Sequence, residues 1–422
     1  MNDQHYLKAV TDLSDTHKIV AACDIYSQSG IKLVAAGIQI NSRMYDRLVQ
    51  HKLLPSLDSA LSMENVLNSE LILADVLKLL EQNDNLILAA EVVDQRDSYN
   101  KIIQNITLPK PLSFKLTVAK EQFPLIYQHS LLIVLISVYL AHCEGMSFQE
   151  KVWVALAALF HDIGTLHIDP KLLEPAHVMS ATERRHLYTH PLSGYMTLYE
   201  FPELPAQIAN AVLEHHEKMD GSGYPRGLRS KKISRYGQII GISELVSKAF
   251  NSDKHKVTWG KLKVMLKLNS KQYGDGLIGH LNIFNDDVDA LTKESESEHV
   301  IDRVNLIAKL FSDFNDISDQ QNSNPIYEFA EDRLAELRLA LFSAGVDPSD
   351  PQSLIQMFVD DPDCINEFAP IIDETIWQFN SLLLEILRQW PEATEPTGDV
   401  TNNPENAWLG NIKLTLTAIN NE

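Results

Sequence analysis

The stretch KVWVALAALFHDIGTLHI, at residues 151–168, decides the fold of this 422-residue chain. Nine consecutive apolar residues from Val152 to Phe160 predict a buried helix, and His161 and Asp162 follow at its end. A carboxylate at the end of a dry helix is costly unless a positive charge compensates it, and a metal ion supplies such a charge. The stretch therefore predicts a mainly helical protein that carries metal ligands in its core.

Histidines on other segments extend this set on both sides. Nine of the fifteen histidines fall within residues 129–216, and imidazole is a ligand that suits divalent transition metals. The histidines that we expect to pack as ordinary hydrogen-bonded residues are His142, His167, His177 and His186. The histidines that remain candidate ligands are His129, His161, His190, His215 and His216. The tandem pair has a second interpretation, because neighbouring helical side chains point about 100° apart and can simply face solvent.

Composition and charge exclude several classes of protein. Lys and Arg total 36 against 57 Asp and Glu, and the net charge of −21 repels nucleic acid and anionic membrane surfaces. The three cysteines form no CxxC pattern and fit a reducing compartment. No leader of basic and apolar residues is present, and the most apolar stretch, Leu131 to Ala141, has about half of the ~20 residues of a membrane span. We expect a cytoplasmic protein with no nucleic-acid or membrane partner.

Residues 1–110 are predicted to form a small α+β module. The stretches IY at 25–26 and IKLV at 31–34 flank the turn SQSG at 27–30, a pattern typical of a β-hairpin, and helical periodicity follows from Met44 to Leu48. The prolines of PKP at 109–111 fit neither a helix interior nor a central strand, so they mark a boundary. We expect this module to regulate or to dimerise the protein.

The rest of the chain divides into four segments by pattern. Residues 115–285 are almost entirely helical, and the capping boxes SFQE at 147–150 and SATE at 180–183 predict helix starts. The other three segments are an acidic linker with a helix at 286–325, a C-terminal helical region at 326–390, and a polar linker with a terminal segment at 391–422. Leu409 to Ile419 fits both a helical and a strand period, so its structure stays open.

In order and spacing, six motif elements resemble the HD-GYP family, a bacterial branch of the HD phosphohydrolases whose members are cyclic di-GMP phosphodiesterases. These elements are His129, His161-Asp162, His190, His215-His216, the turn DGSGYP at 220–225 and a closing helix at 233–250. The resemblance implies an HD-type helical bundle, with a small N-terminal α+β module and a C-terminal helical extension around it.

The resemblance also implies a role for each matching residue. Asp162 is implied to bridge two ions, with His161 beside it and Thr165 at the next catalytic position. The implied metal ligands are His129, His161, Asp162, His190, His215, His216 and Glu244. The loop residues implied to contact substrate or a partner are Gly221, Gly223, Tyr224 and Pro225. The cofactor is then two divalent transition-metal ions, for which iron or manganese suits imidazole and carboxylate ligands best.

The chain departs from the family pattern at several positions. Thr165 replaces a lysine that faces the substrate phosphate, and threonine supplies no point charge. Glu244 replaces an aspartate, so the ion or the helix has to adjust to an extra methylene. Residues 251–254 read NSDK in place of Arg-Pro-Tyr-Arg, and Leu125 stands where some members hold a third ion with glutamate. The stretch DALT at 289–292 copies the end of the closing motif too late in the chain, and we treat it as coincidence.

Three functions are compatible with these residues. The first is a metal-dependent phosphodiesterase that hydrolyses cyclic di-GMP to pGpG or GMP, and the intact histidine set favours it. The second is a degenerate member that acts as a nucleotide sensor or a protein-interaction scaffold without significant turnover. The third is hydrolysis of another phosphorylated substrate. Thr165 and the missing arginines favour the second and third. The implied partner is cyclic di-GMP, with diguanylate cyclase-type proteins and a second copy of the chain as candidate protein partners.

Overall fold

The computed structural model divides the chain into two compact units. The first comprises residues 1–251 and 271–284, and the second comprises residues 252–270 and 285–422. The described residues are 4–82, 84–93, 96–174, 177, 179–250, 259–284, 297–318, 325–390, 408–410 and 412. The stretches NSDK at 251–254 and DALT at 289–292 and the predicted polar linker from residue 391 to 404 lie outside them.

The N-terminal part of the first unit combines short strands with helices. Its helices are α1 (Gln4–Leu13), α2 (Tyr45–Leu48), α3 (Leu57–Ala60), α4 (Ser69–Leu80), α5 (Asp84–Val92) and α6 (Arg96–Gln104). Its strands are β1 (Ile19–Ala21), β2 (Ile25–Ser27), β3 (Lys32–Val34), β4 (Leu53–Leu54) and β5 (Leu61–Met63). Strand β2 pairs antiparallel with β3 and β4, and β1 pairs antiparallel with β5. The predicted hairpin and the α+β character of this part are confirmed.

The helical part of the first unit follows directly. Its helices are α7 (Lys110–Gln122), α8 (Pro124–Cys143), α9 (Phe148–Phe160), α10 (Ala181–Leu187), α11 (His190–Tyr199), α12 (Ala206–Glu214) and α13 (Arg235–Ser247). Both predicted capping boxes are present, with Ser147 and Glu150 at the start of α9 and Ser180 and Glu183 at the start of α10. Pro111 lies in the first turn of α7, where proline costs no hydrogen bond, so the predicted boundary is a helix start.

Helix α8 contains the most apolar stretch of the sequence. By length and composition it is also the one helix in the described part of the chain that could cross a membrane, but 72% of its apolar window is buried inside the protein. It packs against α7, α9 and α13. This packing confirms the predicted buried core helix.

The remaining helices are α14 (Trp259–Leu268), α15 (Ser270–Tyr273), α16 (Asp275–Gly279), α17 (Ser297–Ser318), α18 (Pro325–Ser343), α19 (Pro351–Asp360) and α20 (Ile365–Gln389). The second unit contains α14 and α17 to α20, and aromatic contacts such as Phe311 against Phe379, 5.2 Å between ring centroids, fill its core. Helix α17 is the helix predicted within the segment at 286–325, and its 22 residues span most of the described part of that segment. Trp408, Leu409 and Gly410 are helical, which decides the start of the stretch that the sequence left open.

Close helix packing brings the candidate site together. After α9, residues Ile163–His167 form a 3₁₀ turn that lies against α11. A Cβ atom on Gly164 would lie 2.1 Å from the carbonyl oxygen of His190, so only glycine permits this approach. The turn thereby holds the first residue of α11 next to the end of α9.

Candidate metal centre

The seven predicted ligands lie in two adjacent groups. The four-residue group consists of Asp162, His190, His215 and His216, and the three-residue group consists of His129, His161 and Glu244. Within each group the ligand atoms all lie within 4.8 Å of one another. Five helices or helix ends contribute to the two groups, since α8 carries His129, α11 begins at His190 and α13 carries Glu244. The fold therefore brings every predicted ligand into one place.

Backbone carbonyl groups orient three of the imidazole rings. The Nδ1 atoms of His161, His190 and His215 lie 2.8, 2.8 and 2.6 Å from the carbonyl oxygens three residues earlier. Because a carbonyl oxygen only accepts hydrogen bonds, each Nδ1 carries a proton and each Nε2 faces the centre. A partner of this kind fixes both the tautomer and the orientation of metal-binding histidines.

The four-residue group has a geometry that fits a cation. The Nε2 atoms of His190 and His215 lie 3.2 Å apart, although both are acceptors when the Nδ1 atoms carry the protons. Two lone pairs that face each other at this distance repel unless a positive ion lies between or beside them. The donor set of imidazoles and carboxylate therefore fits a divalent metal ion.

Asp162 lies between the two groups. Its Oδ1 atom is 3.2 Å from His190 Nε2 and 3.8 Å from His215 Nε2, both in the four-residue group. Its Oδ2 atom is 3.3 Å from Nε2 of His161, which belongs to the three-residue group. One carboxylate thus presents a separate oxygen to each group.

Glu244 reaches the three-residue group in spite of its longer side chain. Its Oε2 atom lies 2.7 Å from His129 Nε2 and 3.5 Å from His161 Nε2. The Nε2 atom of His161 is fully buried and makes no hydrogen bond. An orphaned buried nitrogen between two carboxylates fits a site for a cation.

In the four-residue group, the electrostatics favour neutral imidazoles at His215 and His216. Burial, followed by the charges of His161 and His190, lowers the pKa of His215 to about 3. Burial and the neighbouring histidines likewise lower the pKa of His216 well below its ordinary value. A neutral imidazole is the form that binds metal.

The carboxylates respond in the opposite direction. Burial acts to raise the pKa of Asp162 and of Glu244, but the surrounding histidines outweigh it and hold both pKa values well below the ordinary range. Burial likewise opposes the charged form of His161, yet the two carboxylates raise its pKa to about 10. The two half-buried carboxylates are therefore ionised, and they favour a positive charge on or beside the His161 ring.

The loop at 220–225 covers the four-residue group. The Tyr224 ring stacks on His216 with centroids 4.6 Å apart and planes at 23°, and its backbone N–H donates to the His216 carbonyl oxygen at 3.0 Å. A Cβ atom on Gly223 would lie 2.3 to 2.5 Å from backbone atoms of residues 216–218, so the loop wraps tightly around the histidine pair. Gly221 has a φ of +86°, which also favours glycine, and Pro225 is exposed.

Thr165 lies in the 3₁₀ turn rather than among the ligands. Its side chain is buried, and Oγ1 donates to the carbonyl oxygen of Asp162 at 2.6 Å. The hydroxyl is thus engaged within its own turn. Leu125, at the position of the third-ion glutamate, is 79% exposed. The histidines expected to be ordinary, including His167 and His177, belong to neither group.

Two buried glutamates were missed by the sequence analysis. Glu217 Oε1 accepts the backbone N–H of Arg226 and Oε2 accepts that of Leu228, both at 2.7 Å. Glu214 accepts from the Arg226 guanidinium and from the backbone N–H of Ser234, again at 2.7 Å. Both carboxylates therefore fix the loop that covers the histidine pair. Their position beside His215 and His216, at the end of an apolar helix, was the available signal.

Comparison with known families identifies the class of this region. Residues 116–258 match the sequence model of the HD domain family. This part of the chain is therefore similar to HD domains, in agreement with its helices and its clustered histidines and aspartate.

Particular relatives are cyclic-dinucleotide phosphodiesterases by name. The 3'3'-cGAMP-specific phosphodiesterase 1 of Vibrio cholerae is 28% identical over 174 residues, which cover 37% of this chain and 40% of that protein. The cyclic di-GMP phosphodiesterase PdeB of Borreliella burgdorferi is 31% identical over 133 residues, 29% of this chain and 35% of that protein. The chain thus spans less than half the length of these relatives. Among solved structures, Bd1817 of Bdellovibrio bacteriovorus, described as an HDG"Y"P protein, is 16% identical with a TM-score of 0.35, over 62% of this chain and 94% of that one.

Proposed function

We propose that this chain is a metal-dependent phosphodiesterase of the HD-GYP type that hydrolyses cyclic di-GMP to pGpG or GMP. The observation that carries the proposal is the position of Asp162, whose two oxygens face different histidine groups. This is the arrangement that a two-metal phosphohydrolase requires of a bridging carboxylate. The named activities of the relatives support the same substrate class.

The proposed metal ligands are the seven residues of the two groups, and we expect two ions, iron or manganese by ligand type. Divalent ions at such a site supply Lewis acidity toward a phosphoryl group and lower the pKa of water.

The chain's own residues orient and shield this chemistry. Carbonyl oxygens hold the rings of His161, His190 and His215 with Nε2 toward the centre, so little reorganisation is needed on binding. Tyr224 covers His216, and the ligand rings at 161, 190 and 215 are almost fully buried, which keeps bulk water away from them. We propose that the loop residues Gly221, Gly223, Tyr224 and Pro225 form the edge that contacts substrate or a protein partner.

A second function, a nucleotide sensor or interaction scaffold without significant turnover, is favoured by Thr165. Its hydroxyl donates to a backbone carbonyl and supplies no cation toward a substrate phosphate. Substrate would then bind without the charge stabilisation that accelerates phosphoryl transfer. On this account the surface around Pro225, the one exposed residue of 221–225, docks diguanylate cyclase-type proteins, and the part at 1–110 regulates or dimerises the chain.

One experiment separates the two functions. Metal-loaded protein is incubated with cyclic di-GMP and, in parallel, with 3'3'-cGAMP, and the products are resolved by chromatography beside an Asp162→Ala control. The phosphodiesterase proposal expects pGpG or GMP from wild type and none from the variant. Binding of cyclic di-GMP with turnover equal to that of the variant supports the sensor instead. Absence of both turnover and binding rejects both nucleotide functions and leaves the scaffold.

A further inference from the structure

A second buried polar cluster lies outside the two ligand groups. Its centre is Lys115 on α7, a residue that is only 3% exposed. The Lys115 Nζ atom lies 2.9 Å from Asp58 Oδ2, 3.3 Å from His167 Nε2 and 3.8 Å above the ring centroid of Tyr6. We call Tyr6, Asp58, Lys115 and His167 the lysine cluster. Tyr6 and Asp58 come from the N-terminal part, whereas His167 comes from the 3₁₀ turn after the ligand Asp162.

The members of this cluster satisfy one another. A buried ammonium is costly, and here a carboxylate, an imidazole nitrogen and an aromatic face compensate it. The hydroxyl of Tyr6 also donates to Asp58 Oδ1, and its ring packs on that of His167 with centroids 5.2 Å apart. Loss of the lysine would therefore remove the cation beside Asp58 and the hydrogen bond that Lys115 donates to His167 Nε2.

The cluster lies at one end of the turn that begins at the metal centre. The turn Ile163–His167 follows Asp162 immediately, and Thr165 N–H donates to the Asp162 carbonyl oxygen at 2.9 Å. Ile168 N–H donates in turn to the Thr165 carbonyl oxygen at 2.9 Å. Only these few residues separate His167 from Asp162. A displacement of the His167 ring would therefore also shift the Asp162 carboxylate, because a short hydrogen-bonded segment connects the two residues.

We infer that Lys115 is a positioning residue, through which Tyr6 and Asp58 of the N-terminal part hold the turn that follows Asp162. The N-terminal part thereby sets the position of the carboxylate that lies between the two ligand groups. The consequence for metal binding rests on the proposed function, whereas the mechanical tie between Lys115 and the turn does not.

The test compares two lysines on the same helix. Lys115→Met removes the tie, and Lys120→Met is the matched control, because Lys120 also pairs with an N-terminal acid, Asp75 at 2.6 Å, but is not part of the lysine cluster. Hydrogen–deuterium exchange of the segment 161–168 is measured in the full-length, metal-free protein. We expect faster exchange in Lys115→Met and exchange equal to wild type in Lys120→Met.

A second variant and a second measurement keep the test decisive. His167→Phe retains a ring against Tyr6 but loses the nitrogen near Lys115, so it should loosen the same segment even if Lys115→Met folds poorly. Mn²⁺ affinity should fall by about 10-fold in both cluster variants, which is the loss typical of removing a residue that orients a metal ligand. It should stay unchanged in Lys120→Met. Exchange at 161–168 that is unchanged in His167→Phe, or accelerated equally in Lys120→Met, overturns the inference. If the wild type binds no Mn²⁺, the proposed function is contradicted instead. The exchange result still shows whether Lys115 holds the turn Ile163–His167.

Discussion

The four-residue group and the three-residue group differ in how their polar atoms face one another. In the first, the Nε2 atoms of His190 and His215 face each other at 3.2 Å with their protons committed to carbonyl oxygens on the far side. In the second, Glu244 Oε2 lies 2.7 Å from His129 Nε2 and accepts a hydrogen bond from it. The first group needs a cation to relieve repulsion, whereas a cation entering the second has to break a good hydrogen bond.

The positions of the ligands in the helices explain this difference. His190 begins α11 and His215 follows the last residue of α12, and both bond to carbonyl groups of the preceding turn. His129 and Glu244 lie within α8 and α13, from which their side chains meet directly. We therefore expect the four-residue group to bind its ion more tightly than the three-residue group.

Asp162→Ala should have the largest effect, because the Asp162 carboxylate presents one oxygen to each of the two groups. We expect metal content to fall from two ions toward zero and hydrolysis to be lost. Elemental analysis of protein purified without chelator measures this, and added Mn²⁺ should raise the melting temperature of wild type but not of the variant. Asp169→Ala is the control, since Asp169 caps the next 3₁₀ turn and accepts from Lys171 N. Retention of two ions in Asp162→Ala would contradict the bridging role.

The next pair of variants addresses the two groups one at a time. We expect His190→Ala to remove the tightly held ion and His129→Ala to remove the weakly held one, so each variant retains about one ion per chain. Titration with a chelator distinguishes them, because the ion that remains in His190→Ala should be stripped at a lower chelator concentration than the ion in His129→Ala. The reverse order would show that the hydrogen bond between His129 and Glu244 does not weaken its group.

Glu217→Gln tests the loop that covers only the four-residue group. The Glu217 carboxylate accepts two backbone N–H groups, whereas the amide offers one oxygen and places an NH₂ group against the other donor. We expect affinity for the tight ion to fall by about 10 to 100-fold, the usual cost of losing an outer partner, with the weak ion unaffected. Glu150→Gln is the matched control, because Glu150 accepts the backbone N–H of Ser147 at the start of α9. Equal loss in both variants would indicate general destabilisation.

The parts of this centre that were predictable from sequence depend on local signals. The apolar run before His161 and the capping boxes at Ser147 and Ser180 act within a few residues, and both helices that they predict, α9 and α10, are present. The resemblance supplied the ligand set, including Glu244, which no spacing argument would have joined to His129 across 115 residues.

The contacts that could not be predicted from the sequence join backbone or side-chain groups that are far apart along the chain. Glu217 bonds to backbone atoms nine and eleven residues later, and nothing in residue type marks those amides. Lys115 meets His167 across 52 residues, and the sequence shows only a basic residue near the start of a helix and an isolated histidine. Burial of such groups depends on how helices pack, which the helical period alone does not specify.

Glu244→Asp should have the smallest effect and concerns only the three-residue group. The shorter side chain draws the carboxylate back from His129, whose Nε2 atom lies 2.7 Å from Oε2 of Glu244. A cation that enters the group then has a weaker hydrogen bond to break. We therefore expect the weakly held ion to bind several-fold more tightly, a gain of less than the about 1.4 kcal/mol that corresponds to a tenfold change in affinity. The tight ion should be unchanged, because Glu244 belongs only to the three-residue group. Isothermal titration with Mn²⁺ resolves the two sites, and Glu244→Gln serves as the control that keeps length but removes charge. If Glu244→Asp instead weakens binding at the three-residue group, the longer glutamate fits the ion better than aspartate does. The affinities of the two groups then differ less than the distances within them suggest.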